Sequence, residues 1–227
     1  MSPSLLGAAW TIARKDLLIE LRTKTAFMSA VMFSIIGLAI FYFAWSPTAV
    51  AASNLVPGVV WVVFTLSAIL GVQRSVRIEL VDRAGDGLLV SPVDREAIYL
   101  GKAIANVIFV GAIQLVMVPV AALFYGLPFG DTVPVMLGIG ALATIGLVAV
   151  GTLFASMAVN TRMAELLLPL LSLPFFLPIV MAAGQSTQRL IAGRPMSESI
   201  AWIKMLVAFD LVFLVVCTFV FPSTIEE

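Results

Sequence analysis

The sequence predicts an all-helical membrane protein with six transmembrane helices, and three observations carry that prediction. The first is composition: 61% of the 227 residues are hydrophobic and 11% are charged, about half the charge of a soluble domain. That amounts to about 138 apolar residues, and six bilayer-spanning helices of roughly 20 residues use about 120. A soluble fold this short cannot hide so much apolar surface, and the mean hydropathy is +1.11. The second observation is a run of 49 residues, 25 to 73, that carries no charge. The third is the uneven distribution of Lys and Arg along the chain.

The chain opens on an arm, residues 4–24, in which Leu6, Trp10, Ala13, Leu17 and Leu21 keep helical spacing with Lys15 and Arg22 opposite. Ile19 and Glu20 blur that stripe. It reads as a helix lying in the cytoplasmic interface, where Trp is favoured; the plainer alternative is a solvated basic tail. Pro47, Ser53, Asn54, Pro57 and Gly58 break the uncharged run into two spans, Phe27–Trp45 and Leu55–Val72. A charge-rich stretch runs from Gln73 to Lys102. Span three follows at Ala103–Tyr125, then a turn over Gly126–Asp131, then span four at Val133–Val159. The link Asn160–Glu165 leads to span five at Leu166–Ala183. A more polar segment, Gly184–Ala201, precedes span six at Ile203–Phe221. Ala49-Val50-Ala51 resembles a leader cleavage site, but the preceding apolar core and front arm are too long, so an uncleaved anchor is expected. The whole chain, 1–227, is expected to form one transmembrane domain.

Basic residues set the orientation. The front arm has Arg14, Lys15, Arg22 and Lys24; the loop after span two has Arg74, Arg77, Arg83, Arg95 and Lys102; the loop after span four has Arg162. The other side has only Arg189, Arg194 and Lys204. Ten against three places both termini in the cytoplasm. The formal charge is zero, from 13 basic and 13 acidic residues, so no bulk field recruits nucleic acid.

Catalytic and metal chemistry are poorly supplied. There is no His, which removes the commonest general base and haem ligand. The single Cys217 allows neither an internal disulfide nor a C-x-x-C-H haem attachment. Gly101-Lys102 is followed by Ala103 and lacks the upstream Gly of a phosphate loop. No metal site and no enzymatic activity of this chain are expected.

The most unusual segment is the loop between spans two and three, residues 74–92, which carries Arg77, Glu79, Asp82, Arg83, Asp86 and Gly87. Its charges interleave with Val76, Ile78, Leu80 and Val81, and turns are marked at Asp86-Gly87 and Ser91-Pro92. It reads either as a two-faced lever that docks into a cytoplasmic partner or as an ordinary solvated loop. Asp210 stands near the middle of span six, where an ionised Asp costs about 2.5–3.5 kcal/mol by insertion scales. It is either a link in conformational coupling or a partner-helix contact, or else an Asp protonated or hydrogen-bonded in the bundle, with Asn106 or Gln114 of span three as expected partners. Span five carries Pro169, Pro174 and Pro178, which bend it or break it near the outer leaflet. Arg189 and Arg194 follow on the outer side, as interface anchors or as partners for carboxylate groups of a ligand. Gly151 and Ala155, four apart on span four, form a weak close-contact motif.

The stretch Asp86-Gly87-Leu88-Leu89-Val90-Ser91-Pro92-Val93-Asp94-Arg95-Glu96-Ala97-Ile98-Tyr99-Leu100-Gly101-Lys102 closely resembles the CcmB family, the haem exporter protein B permeases of bacterial cytochrome c maturation. Further matches lie at Lys15–Arg22, Pro57–Trp61, Ala164–Pro169 and Leu206–Asp210, so the resemblance covers nearly the whole chain. It implies a type-2 ABC exporter permease fold: an interfacial N-terminal helix, six spans, and a coupling helix between spans two and three on which a separate ATPase subunit docks. The residues at 77–87 named above then become ATPase-coupling residues. Many relatives are more acidic where this chain has Arg77-Ile78 and Val81.

The resemblance also implies residence in the bacterial inner membrane, homodimerisation, ATP bound on the partner subunit, and a role in cytochrome c maturation. Further partners would be a haem-handling membrane protein and a periplasmic haem chaperone. Haem enters only as candidate cargo, with Arg189 and Arg194 as candidate contacts for its propionates. Only Met, Tyr or Cys is available here as an axial ligand, and Trp10, Trp45, Trp61 and Trp202 are too scattered to form a haem platform. A mechanical role, with ATP-driven motion acting on partners, is therefore favoured over carriage of haem by this chain. The rivals are a type-2 exporter permease for a drug, lipid or glycan, and a scaffold without nucleotide-driven motion.

Overall fold

The computed structural model describes residues 5–82, 93–158 and 164–225. These form helices α1 (Leu5–Thr23), α2 (Thr25–Ala44), α3 (Ala52–Asp82), α4 (Arg95–Tyr125), α5 (Thr132–Ala158), α6 (Ala164–Ile191) and α7 (Ile200–Ile225), with one 3-10 turn at Met196–Ser199. No strand occurs among the described residues. Six of the helices, α2 to α7, are long and apolar enough to cross a membrane.

The helices outrun their apolar cores. α3 continues past Val72 to Asp82, and α4 starts at Arg95 rather than Ala103, because charged residues are good helix formers and end a membrane span without ending a helix. α6 is unbroken from Ala164 to Ile191 despite Pro169, Pro174 and Pro178, so of the two readings of these prolines the break is not found. The polar run after Ala183 stays helical because its side chains are satisfied inside the bundle. Ser186 Oγ donates back to the Ala182 carbonyl at 2.9 Å, and Thr187 Oγ1 receives the Trp61 indole N–H at 2.9 Å. The helix ends where Gly193, at φ +68°, turns the chain and the Arg194 N–H bonds the Arg189 carbonyl at 3.0 Å. The predicted turn after span three opens with Gly126 at φ +65°, a left-handed cap on α4.

α3 and α5 are the most enclosed spans, and α2 and α7 the most exposed. Met28, Met32, Ile36 and Ile40 recur every four residues on the outward face of α2, which reads as a lipid-facing stripe. Inward, hydrogen bonds staple the helices where hydrophobicity alone gives no preference between lipid and protein. Ser34 and Ser67 share one at 2.7 Å between α2 and α3. Tyr125 Oη donates to the Leu38 carbonyl at 3.0 Å. Tyr99 Oη donates to the Ala149 carbonyl at 2.9 Å, and Asn106 Nδ2 to Thr152 Oγ1 at 3.1 Å, both between α4 and α5.

Candidate coupling and intramembrane sites

Of the expected coupling residues, Arg77, Glu79 and Asp82 lie on the extension of α3 beyond the span Ala52–Gln73, about 14 Å long at 1.5 Å per residue. Their side chains, and Arg83, Asp86 and Gly87 altogether, lie outside the described residues. The structure does describe where the far root of this segment is anchored. Arg95, at the start of α4, reaches Nη1 to the Pro222 carbonyl of α7 at 3.5 Å, a cation at a helix C-terminus. One turn on, the Tyr99 ring packs on Phe221 with centroids 5.3 Å apart, while its hydroxyl holds the α5 backbone. Two residues further, a Cβ on Gly101 would lie 2.7 Å from the Ala9 carbonyl oxygen and 2.8 Å from Ile12 Cβ. Gly101 is there so that α1 lies backbone against backbone on α4. The sequence placed Arg95 in the basic count and Arg95, Tyr99 and Gly101 in the stretch that carries the family resemblance, and Gly101 also spoke against a phosphate loop, but none of this pointed to a contact with α7, α5 or α1. The close approach is a property of two helices far apart in sequence.

Asp210 faces inward from α7 and is 6% exposed, and neither carboxyl oxygen has a hydrogen-bond partner among the described residues. The expected pairing with Asn106 or Gln114 is not found. Asn106 bonds Thr152; Gln114 donates to the Leu137 carbonyl at 3.1 Å and accepts from Thr144 Oγ1 at 3.3 Å. Both are turned to α5, the helix that lies directly opposite them. Asp210 instead occupies a slot opened by Gly146 of α5, where an added Cβ would come 2.5 Å from Oδ1 and 3.0 Å from Ile179 Cδ1 of α6. The tight approaches on α5 are therefore at Gly140, which makes room for Gln114, and at Gly146. At Gly151 an added Cβ would meet Phe176 at an ordinary 3.6 Å.

On the other end of the bundle, Arg189 and Arg194 each have protein partners. Arg189 Nη1 donates to the Gln185 carbonyl and to Gln185 Oε1, both at 2.9 Å, and its guanidinium stands 5.5 Å over the Trp202 ring. It clamps the end of α6 to the start of α7. Arg194 pairs with Glu198 at 3.2 Å, with both side chains largely in solvent. The tryptophans stay apart: Trp45 packs on Tyr125, Trp61 on Phe64, Trp202 under Arg189, and Trp10 is exposed. No cluster of three or more His, Cys, Asp or Glu suited to a metal occurs among the described residues.

The chain matches a family model described as CcmB protein over residues 7–227. It is similar to heme exporter protein B of Pseudomonas aeruginosa, 30% identical over 200 residues that make up 88% of this chain and 89% of the relative. Heme exporter protein B of Bradyrhizobium diazoefficiens is 28% identical over 222 residues, 98% of this chain and 99% of the relative. That of Paracoccus denitrificans is 29% identical over 179 residues, 79% and 82% of the two chains.

Proposed function

The chain belongs to the CcmB protein family, and on that premise we propose that it is the membrane subunit of an ABC haem exporter serving cytochrome c maturation. The family match over residues 7–227 carries the reading, and the names of the relatives supply haem. In this proposal the chain is one permease domain of the type-2 exporter fold, working as a homodimer in the bacterial inner membrane with both termini in the cytoplasm. α1 lies in the cytoplasmic interface. A separate subunit binds and hydrolyses ATP and docks on residues 74–92, where Arg77, Glu79, Asp82, Arg83, Asp86 and Gly87 meet it.

The mechanism proposed is mechanical. Motion imposed on the coupling segment acts at its two roots, the extension of α3 and the start of α4. The α4 root is tied to α7 through Arg95 and the Tyr99–Phe221 contact, to α5 through the Tyr99 hydroxyl, and to α1 across Gly101. A push there therefore reaches three helices within two turns. The outward result is haem delivery by a haem-handling membrane partner, or release of a loaded periplasmic haem chaperone. In this reading haem is not carried along the chain: of the available axial ligand types, Cys217 is buried and the Tyr99 and Tyr125 hydroxyls are committed to carbonyls, which leaves Tyr42 and the methionines.

The test is to purify the tagged chain from its native membrane in mild detergent and identify what accompanies it. Recovery of an ATPase subunit with haem-handling proteins is the expected result. An ATPase without them would favour a general type-2 exporter, and absence of any ATPase would overturn the lever at 74–92.

A further inference from the structure

Helix α1 has two faces, and only one is used inside the protein. Ala8, Ala9, Ile12 and Ala13 are buried, and they meet α4 at the point where Gly101 lets the backbones touch. On the other side Leu6, Trp10, Leu18 and Leu21 are exposed, at 73%, 56%, 46% and 65%. At 100° per residue, Arg14 falls on this same outward face, one turn from Trp10 and one turn from Leu18; Ala13, expected on the apolar stripe, is buried on the opposite side, and Arg22, expected opposite the stripe, stands exposed at the edge of the outward face one turn beyond Leu18. Arg14, Arg22 and Lys24 are all exposed. The two acidic residues of the helix are turned to other tasks. Asp16 pairs with Lys15 at 3.0 Å with its side chain mostly covered, and Glu20 Oε1 accepts the Phe27 N–H in the first turn of α2. The outward charge of α1 is thus cationic, set into an apolar stripe.

Lys24, at φ +52°, breaks the chain between α1 and α2, so α1 does not continue the axis of the first span. By length and composition the first candidate span starts at Thr25, and a crossing there would set Arg22 and Lys24 beside the boundary of the hydrocarbon, where phosphate headgroups lie.

We propose that the outward face of α1 is a seat for anionic phospholipids of the cytoplasmic leaflet, its apolar stripe sunk at the acyl boundary and Arg14, Arg22 and Lys24 holding the headgroups. Long basic side chains suit this because their stems lie along apolar surface while the charge reaches outward. Each basic residue near an anionic surface is worth about a fivefold gain in lipid association, so the three together give on the order of a hundredfold. This rests on the interfacial placement of α1 proposed above and adds the class of lipid.

Trp10, on the stripe itself, is the reporter. The full chain is reconstituted in mixed phosphatidylcholine–phosphatidylglycerol vesicles of one composition, with bromine on the acyl chains of one lipid or of the other. Quenching specific to Trp10 is obtained by subtracting the Trp10→Phe variant. The expected result is several-fold stronger quenching per mole of brominated phosphatidylglycerol. That preference should vanish in the Arg14→Gln/Arg22→Gln/Lys24→Gln variant and survive in Arg14→Lys/Arg22→Lys. Equal quenching by the two lipids overturns the anionic seat while leaving α1 in the interface. No quenching by either overturns both placements. A preference that persists in the triple Gln variant overturns the assignment to these three residues.

Discussion

Gly146 and Asp210 share one slot, and the slot explains why each is what it is. A methyl group at 146 would be driven into the Asp210 carboxyl and against Ile179, and overpacking of this kind costs about 1–3 kcal/mol. Gly146→Ala should therefore lower the thermal stability of the purified chain in detergent by an amount in that range. In an Asp210→Ala background most of the penalty should disappear, since the atom being struck is gone; strictly additive effects of the two substitutions would show that they do not share the slot. Asp210 itself was legible from its position in an apolar span, but its surroundings were not. A polar side chain in a membrane pairs with whichever helix stands opposite, and hydropathy does not say which one that is. Asn106 and Gln114 point at α5, so the acid on α7 is left to a glycine.

At the scale of the helix, the six spans were readable because lipid demands long apolar runs, while the helix ends were not. α3 runs ten residues past its apolar core into charged sequence, and α6 absorbs Ser186, which bonds back to the Ala182 carbonyl, and Thr187, to which α3 supplies Trp61 as a donor. Glu20 blurs the apolar pattern of α1 for a reason that belongs to the next helix, whose first turn it caps. The seating of α1 on α4 was equally hidden, and it makes a sharp prediction. At Gly101 the obstacle to a side chain is the Ala9 carbonyl, which is backbone and cannot rotate away. Gly101→Ala should push α1 off α4, so that amide hydrogens of residues 5–23 lose protection by about tenfold or more. Amides at the centre of α5 should be unchanged. Unaltered exchange across α1 would mean that the two helices adjust without separating. Trp61→Phe tests the opposite end: losing the indole bond to Thr187 should cost about 0.6 kcal/mol, and the cavity left beside the smaller ring adds to that in the same stability measurement.

For the molecule as a whole, the proposed function turns on whether force enters at residues 74–92 and leaves through the root of α4. Coupling free energies of 1–3 kcal/mol correspond to roughly 5–150-fold effects on a linked event, so breaking the entry point should be visible in output rather than in ATP turnover. With the chain assembled with its ATPase, Glu79→Ala and Asp86→Ala should leave hydrolysis running while cutting the coupled haem-chaperone output about tenfold or more. Tyr99→Phe probes the exit: the ring still packs on Phe221, but the hydroxyl no longer holds the Ala149 carbonyl. It should lower coupled output by a smaller factor, with ATPase docking intact. A scaffold that never moves predicts something different, because none of the three substitutions would separate hydrolysis from output. The comparison also distinguishes a lever from a docking loop: loss of ATPase binding in Glu79→Ala and Asp86→Ala, with Tyr99→Phe wholly silent, would assign residues 74–92 to assembly and leave the α4 root without a part in transmission.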